Sequence, residues 1–501
     1  MWLLNACFLL GSGAGDCSSA VQTRGSETDK SGGCCIQVKA QPYLMVDDQL
    51  FSEVSRLTRQ VIRPRRERLA PVVTSGPEHR VCQPYVSVIY DQERHRFRMW
   101  YNAAPLPEES NHRYFGPTLA YLESEDGEHW PGPFRRLNLE VTYAGTVIDH
   151  LDHWVPKSER FKLVYVLVQK PNYRVGDWLK TRLAISSDGL HWVPLPFDTL
   201  FPGRGTSHKE NWGDIVNLFY DSALGLYGLF FRYFGPYVWT NSEGIRQERT
   251  IRRTGLIVSR DFFNWSPPQV VFYPDDRDPG VTEFYGGAAG VHRRGDLLIG
   301  FLKVLRDDLT AEGAPDGAFG VGYTVLTWSR DGLHWERDRH ENAFFLPDPT
   351  PGAWDHAVAW IDSAVPVGDR LYLYYGGYRW GHKYQPLVDR QIGLVRIPRD
   401  RYVALQAGEE EGVARTVPLR GLRNYCLEVN IDATDGYLKV RILDQQGRVV
   451  NVFRPVEGVD ALNVRLVPDG NFAVPENEPL QLEMRLRKAR LFALYLVPRS
   501  G

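Results

Sequence analysis

Four acidic residues stand directly before or at the start of short strand-forming runs: Asp149, Asp214, Glu283 and Asp355. Cleavage of a glycosidic bond needs one carboxylic acid that protonates the leaving oxygen and one carboxylate that acts as base or nucleophile, often with a third that orients hydroxyl groups. We therefore predict that Asp214, Glu283 and Asp355 are catalytic. The alternative for any one acid is a turn cap or an ion pair with arginine, but recurrence in successive repeats favours the chemical role.

The same stretches carry residues that suit contact with a sugar. Aromatic rings offer flat faces for stacking, histidine donates and accepts hydrogen bonds, and Arg232 and Lys303 interrupt apolar strands in which a buried cation needs a carboxylate partner. The predicted substrate-binding residues are Asp149, His150, Trp212, Arg232, Tyr285, Lys303, Trp354, His356 and His382. Packing between sheets is the alternative for the aromatic residues, and a structural hydrogen bond is the alternative for the histidines.

The elements that must position these residues are short strands separated by Gly, Pro and Asp turns. One turn motif, Ser-x-Asp-Gly-x-His-Trp or a close variant, follows a strand at four places: residues 124–130, 186–192, 259–265 and 329–335. In such a turn the aspartate accepts backbone N–H bonds, the glycine takes a positive φ, and the tryptophan packs between neighbouring sheets. We interpret this motif as scaffold rather than chemistry.

Strand pairs also recur along the chain, and a fixed recurrence is a strong indicator of architecture. Five pairs are found, and the last lacks the turn motif, as expected where a ring of sheets closes on an N-terminal strand. The pairs begin at residues 85, 146, 214, 285 and 356. We predict an all-β fold in which residues 41–405 form a five-bladed β-propeller, with binding groups gathered at one end of its axis.

Residues 406–501 follow a different pattern, in which apolar and polar residues alternate strictly, for example at 437–443 and 480–486. Alternation indicates half-buried strands, so we predict a small C-terminal β-sandwich. This domain either binds carbohydrate or covers the side of the propeller, and the lack of an obvious exposed aromatic set favours covering.

Composition excludes several classes of partner. The chain of 501 residues carries 59 Lys and Arg against 61 Asp and Glu, so no bulk charge attracts it to nucleic acid or to an anionic membrane. No run approaches the roughly 18 apolar residues of a membrane-spanning helix. The six cysteines show no metal-ligand spacing, and we predict neither a metal nor a cofactor.

Residues 1–40 are predicted to be a signal-like segment followed by a disordered linker. Residues 2–10 are apolar and small residues follow, as in a secretory signal, although the basic segment that usually precedes such a run is missing. Residues 18–40 show no hydrophobic period. We therefore predict a secreted or periplasmic protein.

The chain resembles uncharacterised bacterial proteins similar to glycoside hydrolase families 32 and 43, which are five-bladed propellers. The resemblance covers nearly everything after residue 43 and includes the turn motif and the segments 44–48, 354–355, 374–378 and 402–409. It implies one acid on each of three inner strands, and by strand position these are Asp214, Glu283 and Asp355. If Glu283, as the only glutamate of the three, is the general acid, then Asp214 or Asp355 is the base. The chain departs from the family pattern at Gln83, which stands where the family 32 enzymes have their nucleophile.

These observations predict a glycosidase that acts on a poly- or oligosaccharide. Two alternatives stay open: a glycan-binding propeller without catalysis, and a phosphorylase on the same fold, which would need a basic cluster near the acids. The sequence indicates no particular sugar, linkage or oligomeric state.

Overall fold

The computed structural model describes residues 26–28, 34–105, 118–150, 155–168, 179–196, 211–240, 244–384, 389–472, 475 and 478–499. The chain is all-β, as predicted. These residues contain no α-helix, only 3₁₀ turns at Lys157–Glu159, His340–Asn342 and Leu422–Asn424. No helix among them is long and apolar enough to cross a lipid bilayer.

Three antiparallel sheets, here called sheets 1 to 3, follow one another along the chain, and each has four strands paired in sequence order. Sheet 1 contains Val81–Asp91, Arg96–Ala103, Thr118–Ser124 and Arg135–Glu140. Sheet 2 contains Tyr143–Asp149, Phe161–Val168, Leu179–Ser186 and Val193–Pro194. Sheet 3 contains Asn211–Asp221, Leu226–Thr240, Arg246–Ser259 and Gln269–Phe272.

Two further groups of strands complete this series. Sheet 4 contains Glu283–Arg294, Leu297–Thr310, Phe319–Ser329 and Glu336–Arg337, and sheet 5 contains Val358–Val367, Arg370–Tyr378 and Arg390–Pro398. A single parallel pair, Gly322 with Val358, joins the two. Arg65 and Val73 form bridges to the last strand of sheet 5, so a segment from the N-terminal part of the chain provides its outer edge.

The first strands of the five sheets, here called the inner strands, form a closed ring. Each contacts the inner strand of the next sheet, and that of sheet 5 contacts that of sheet 1. Side-chain hydrogen bonds to the backbone link neighbours around the ring: Ser87 joins sheets 1 and 2, Thr146 joins sheets 2 and 3, Asn217 joins sheets 3 and 4, and Ser363 joins sheets 5 and 1. Because all inner strands run the same way, their starts meet at one end, here called the mouth.

The repeated turn motif has the predicted structure. In residues 124–130, the Asp126 carboxylate accepts the backbone N–H bonds of Glu128 and His129 at 2.8 and 2.9 Å. Gly127 has φ of 74°, and the Trp130 indole N–H donates to its carbonyl at 3.1 Å. Trp130 is buried in the core between sheets. The motif therefore fixes the sheets and takes no part in the mouth.

Two more sheets contain most of the C-terminal strands. Sheet 6 is ordered Asp460–Arg465, Tyr425–Asp432, Arg490–Pro498, Val403–Gln406 and Thr58–Val61, with Pro42–Leu44 also on Arg490–Pro498. Sheet 7 is ordered Val449–Val452, Tyr437–Leu443, Gln481–Arg487, Gly412–Thr416 and Phe51–Ser55, with Val456–Glu457 also on Tyr437–Leu443. One apolar core lies between them.

The N-terminal part of the chain differs from the predicted division. Residues 42–61 were expected in the larger domain, but their strands pair with strands that follow residue 402. Residues 18–40 were expected to be a linker, but Cys34–Gln37 pairs with Leu419–Arg420, beside a short Ser26–Thr28 strand. Burial explains both differences, because Val38, Met45 and Leu50 lie in the core between sheets 6 and 7. The signal-like segment 1–25 lies outside the described residues.

Candidate functional site

An aromatic cluster fills the mouth of the ring. Tyr285 stacks on Trp360 with ring centres 4.5 Å apart, and His382 lies edge-on to Tyr285 at 4.7 Å. Tyr378 and Tyr85 complete the group, which we call the mouth cluster. Tyr85 and Trp360 come from inner strands, Tyr378 ends the second strand of sheet 5, and His382 follows it.

Tyr85 and Tyr378 of the mouth cluster are neutral phenols. The hydroxyls of Tyr85 and Tyr285 lie 2.9 Å apart. Burial raises the pKa of Tyr85 well above its usual value, and it raises the pKa of Tyr378 to about 12. Both phenols therefore keep their protons at physiological pH.

Glu283 is a buried carboxylate at the mouth. It begins the inner strand of sheet 4 and is 3% exposed. Its Oε2 accepts a hydrogen bond of 2.8 Å from Nη1 of Arg252, which lies on the third strand of sheet 3. An opposite charge at this distance favours the ionised carboxylate.

His382 is held neutral by its surroundings. Burial lowers its pKa well below the usual value, and the positive charges of Arg390, Lys383 and Arg252 lower it further. Its Nδ1 is shielded from solvent and has no hydrogen-bond partner. His382, a predicted substrate-binding residue, is thus a neutral imidazole beside Tyr285.

Lys303 was predicted to need a carboxylate partner, and the structure pairs it with Asp362 on the inner strand of sheet 5. Both residues are buried, and Lys303 lies 5.7 Å from the centre of the Tyr85 ring. Burial raises the pKa of Asp362, while Lys303 lowers it. Sequence reasoning missed Asp362, although an acid directly after the apolar run 357–361 was a visible signal.

Arg390 was also missed by sequence reasoning. It begins the last strand of sheet 5 and is 4% exposed. It donates to the side-chain oxygen of Gln83, the residue at which the chain departs from the family 32 pattern. The position on sheet 1 that could have carried an acid therefore carries an amide bound to a cation.

The hydrogen-bond partners of the Asp355 side chain are residues outside the mouth cluster. The Asp355 carboxylate accepts hydrogen bonds from Arg66 Nε at 2.8 Å and from the Tyr375 hydroxyl at 2.9 Å. Trp354 stacks on Tyr375 at 5.4 Å, within the core between sheets 4 and 5. His356 donates from Nδ1 to a backbone carbonyl at 2.7 Å. The contacts of Asp355 thus join the N-terminal segment to sheet 5.

Asp149 and His150 lie at the opposite end of the ring from the mouth, which corrects their predicted place. The inner strand of sheet 2 is Tyr143–Asp149, so Asp149 ends this strand instead of beginning it. Its carboxylate accepts from Arg160 Nε at 2.7 Å, and His150 is hydrogen-bonded to the Tyr227 hydroxyl at 2.6 Å. The predicted strand began at residue 146, so Asp149 already followed its apolar run and could not begin it.

Asp214 and Trp212 lie on the inner strand of sheet 3, Asn211–Asp221, but their side chains are outside the described part of the chain. Asn217, three residues after Asp214, donates to the carbonyl of Gly286 at 2.6 Å, which places this part of the strand beside the start of the inner strand of sheet 4. The predicted binding residue Arg232 is half-buried on the second strand of sheet 3, opposite Thr254.

No protein-family model and no curated protein matches the chain. Among solved structures, one described as "Glycoside hydrolase" is 14% identical with a TM-score of 0.40, over 70% of this chain and 93% of that chain. The Bombyx mori GH32 beta-fructofuranosidase is 12% identical with a TM-score of 0.39, over 87% of this chain and 95% of its own. The predicted resemblance to glycoside hydrolase structures is confirmed, but TM-scores this low define no activity.

Proposed function

We propose that sheets 1 to 5 are the blades of a five-bladed β-propeller, built from residues 62–402, and that sheets 6 and 7 form a small β-sandwich. The closed ring of inner strands supports this arrangement, because consecutive sheets placed radially around an axis bring their first strands together. The N-terminal edge strand of sheet 5 supports it as well, since it ties the last blade to the start of the chain.

We propose further that the chain cleaves glycosidic bonds of a poly- or oligosaccharide at the mouth of the ring. Glu283 carries this proposal: it is a buried carboxylate at the start of an inner strand, ion-paired with Arg252, and the next residue but one is Tyr285 of the mouth cluster. Carboxylates supply the acid and base of glycoside hydrolysis, and aromatic rings suit the faces of sugars. Such a substrate suits an exported protein, and export is part of the proposal.

We base the proposed roles of the acids on this ion pair. Because Arg252 favours the ionised form, Glu283 acts as base or nucleophile rather than as the general acid. Asp214, at the corresponding start of the neighbouring inner strand, is then the proton donor. Asp355 holds Arg66 and Tyr375, and its role is to position the N-terminal segment.

The test measures turnover of a panel of poly- and oligosaccharides as the release of reducing ends. Glu283→Gln and Asp214→Asn should each lower turnover by roughly 10²–10⁴-fold, the usual contribution of a general acid or base. Matched controls are Glu93→Gln and Asp369→Asn, which change exposed acids at the far end of the ring and should leave turnover unchanged.

Other outcomes decide between the classes of protein. Retention on a glycan without turnover would replace hydrolysis by a binding function. Turnover that requires inorganic phosphate would indicate a phosphorylase. Undiminished turnover in Glu283→Gln would remove the proposed site.

A further inference from the structure

Two guanidinium groups beside the mouth have no carboxylate partner in the described residues. Arg390 donates to Gln83 and to the backbone carbonyl of His382, the latter at 2.9 Å, and lies 4.5 Å from the centre of the Tyr378 ring. Nε of Arg379 is shielded from solvent without a hydrogen-bond partner, and its guanidinium lies 5.6 Å from the centre of the Trp380 ring.

Arg379 is half-buried. The charge of Arg390, which is 4% exposed, is unusual in a folded interior, because a buried cation loses its hydration and needs an anion in return. Arg98 shows the ordinary solution elsewhere in the chain, where an equally buried guanidinium is ion-paired with Asp91 at 3.1 Å. Amide and carbonyl oxygens and a tyrosine ring give Arg390 only partial compensation. No carboxylate of the described residues forms an ion pair with either arginine.

Both guanidinium groups line one small cavity next to the mouth cluster. Its volume is about 10 Å³, which suits one group about the size of a water molecule. The cavity is lined by Tyr378, Arg379, Trp380, Gly381, Tyr384, Asp389 and Arg390. Asp389 forms no ion pair with either arginine within the described residues, so its carboxylate leaves both guanidinium groups open to a ligand.

We propose that this cavity, the arginine cavity, binds the carboxylate of an acidic sugar. Arginine N–H groups donate to carboxylate oxygens, and the small volume admits one such oxygen while the rest of the group and the sugar ring stay outside, near Trp380 and Tyr384. The inference rests on the proposed glycan-cleaving function and names its substrate class, a glycan that contains uronic acid.

The test is the Tm of the full chain with glucuronate, galacturonate, glucose, galactose or inorganic phosphate at matched ionic strength. A ligand that binds only the folded state raises Tm, and we expect a rise of roughly 1–3 °C with at least one uronate and none with the neutral sugars. Arg390→Gln and Arg379→Gln should abolish the rise, and the exposed, ion-paired Arg370→Gln should retain it. Arg379 makes no hydrogen bond in the described structure, so its removal separates binding from folding.

The proposal is overturned if no uronate raises Tm, if neutral sugars raise it equally, if phosphate alone raises it, or if both arginine variants keep the rise. Glu283→Gln distinguishes the proposed glycan cleavage from the proposed carboxylate binding, since this variant should lose turnover but keep the rise in Tm with uronate. Cleavage of neutral glycans without a uronate effect would remove this inference and leave the proposed function standing.

Discussion

At the scale of single residues, the mouth combines neutral hydrogen-bonding groups with a small number of charges. Tyr85, Tyr378 and His382 have pKa values moved away from the physiological range, chiefly by burial. Their protonation is therefore constant around neutral pH. We therefore expect the pH dependence of turnover to arise from protonation of the carboxylates of the site, above all Glu283.

The pair of Lys303 and Asp362 gives a prediction at this scale. Lys303→Met leaves a buried carboxylate without its partner, and should lower the free energy of unfolding by about 3–5 kcal/mol. The double variant Lys303→Met with Asp362→Leu should recover most of that loss, because it removes both charges. Urea denaturation of the natural chain, the single variant and the double variant measures these free energies of unfolding. A double variant no more stable than the single one would contradict the argument.

At the scale of elements, one acid joins three strands on the outer face of sheet 7. Burial of Glu483 raises its pKa, but hydrogen bonds from Arg415, Arg485 and Arg441 outweigh burial and bring the pKa to about 2. The bonds measure 2.9, 2.8 and 2.6 Å. This face is thus held together by an ionised carboxylate.

The network predicts an acid-sensitive sheet. Because the folded pKa is below the ordinary 4.5, the stabilisation is fully present above pH 4.5 and is lost as pH falls toward about 2. Glu483→Gln should be less stable than the natural chain at pH 7 and should lose less stability across that window. Thermal unfolding at a series of pH values checks it, with the exposed Glu457→Gln as control. Parallel losses in Glu483→Gln and the natural chain would count against the network.

The elements also show what could be predicted from the sequence. Strands and turns of sheets 1 to 5 follow local rules, and the turn around Asp126 has the predicted bonds. The direction of a side chain near the start of a strand depends on residues distant in sequence. The Asp355 carboxylate, for example, accepts a hydrogen bond from Arg66. Arg390 was not predicted as a site residue because its interest lies in the lack of an ion-pair partner among the described residues. Only three-dimensional packing reveals that lack.

At the scale of the whole molecule, the two ends of the described chain are built into one body. Tyr43 pairs with Leu494, and Tyr495 donates to Asp400 at 2.9 Å. Leu44 and Ala493 also pack in the core shared by sheets 4 and 5. The sheets around the ring and the C-terminal sheets are therefore interdependent.

Truncation tests this interdependence. A chain ending after residue 405 leaves the strands Pro42–Leu44 and Phe51–Ser55 without partners and exposes apolar residues such as Leu44 to water. We expect it to lack a cooperative unfolding transition and to aggregate, because unpaired strand edges template association. Calorimetry and size-exclusion chromatography measure both. A monomeric truncated chain that unfolds at the same temperature as the full chain would show that the ring stands alone.

The pairing of Pro42–Leu44 with the last strand has a consequence for synthesis. Residues 42–44 are synthesised long before their partners Ala493, Leu494 and Tyr495. The nascent chain must therefore carry the strand Pro42–Leu44 unpaired until Arg490–Pro498 has been made and has left the ribosome. Contacts that distant in sequence form slowly, so newly made chains are exposed to misassociation and will depend on chaperones until the last strand docks.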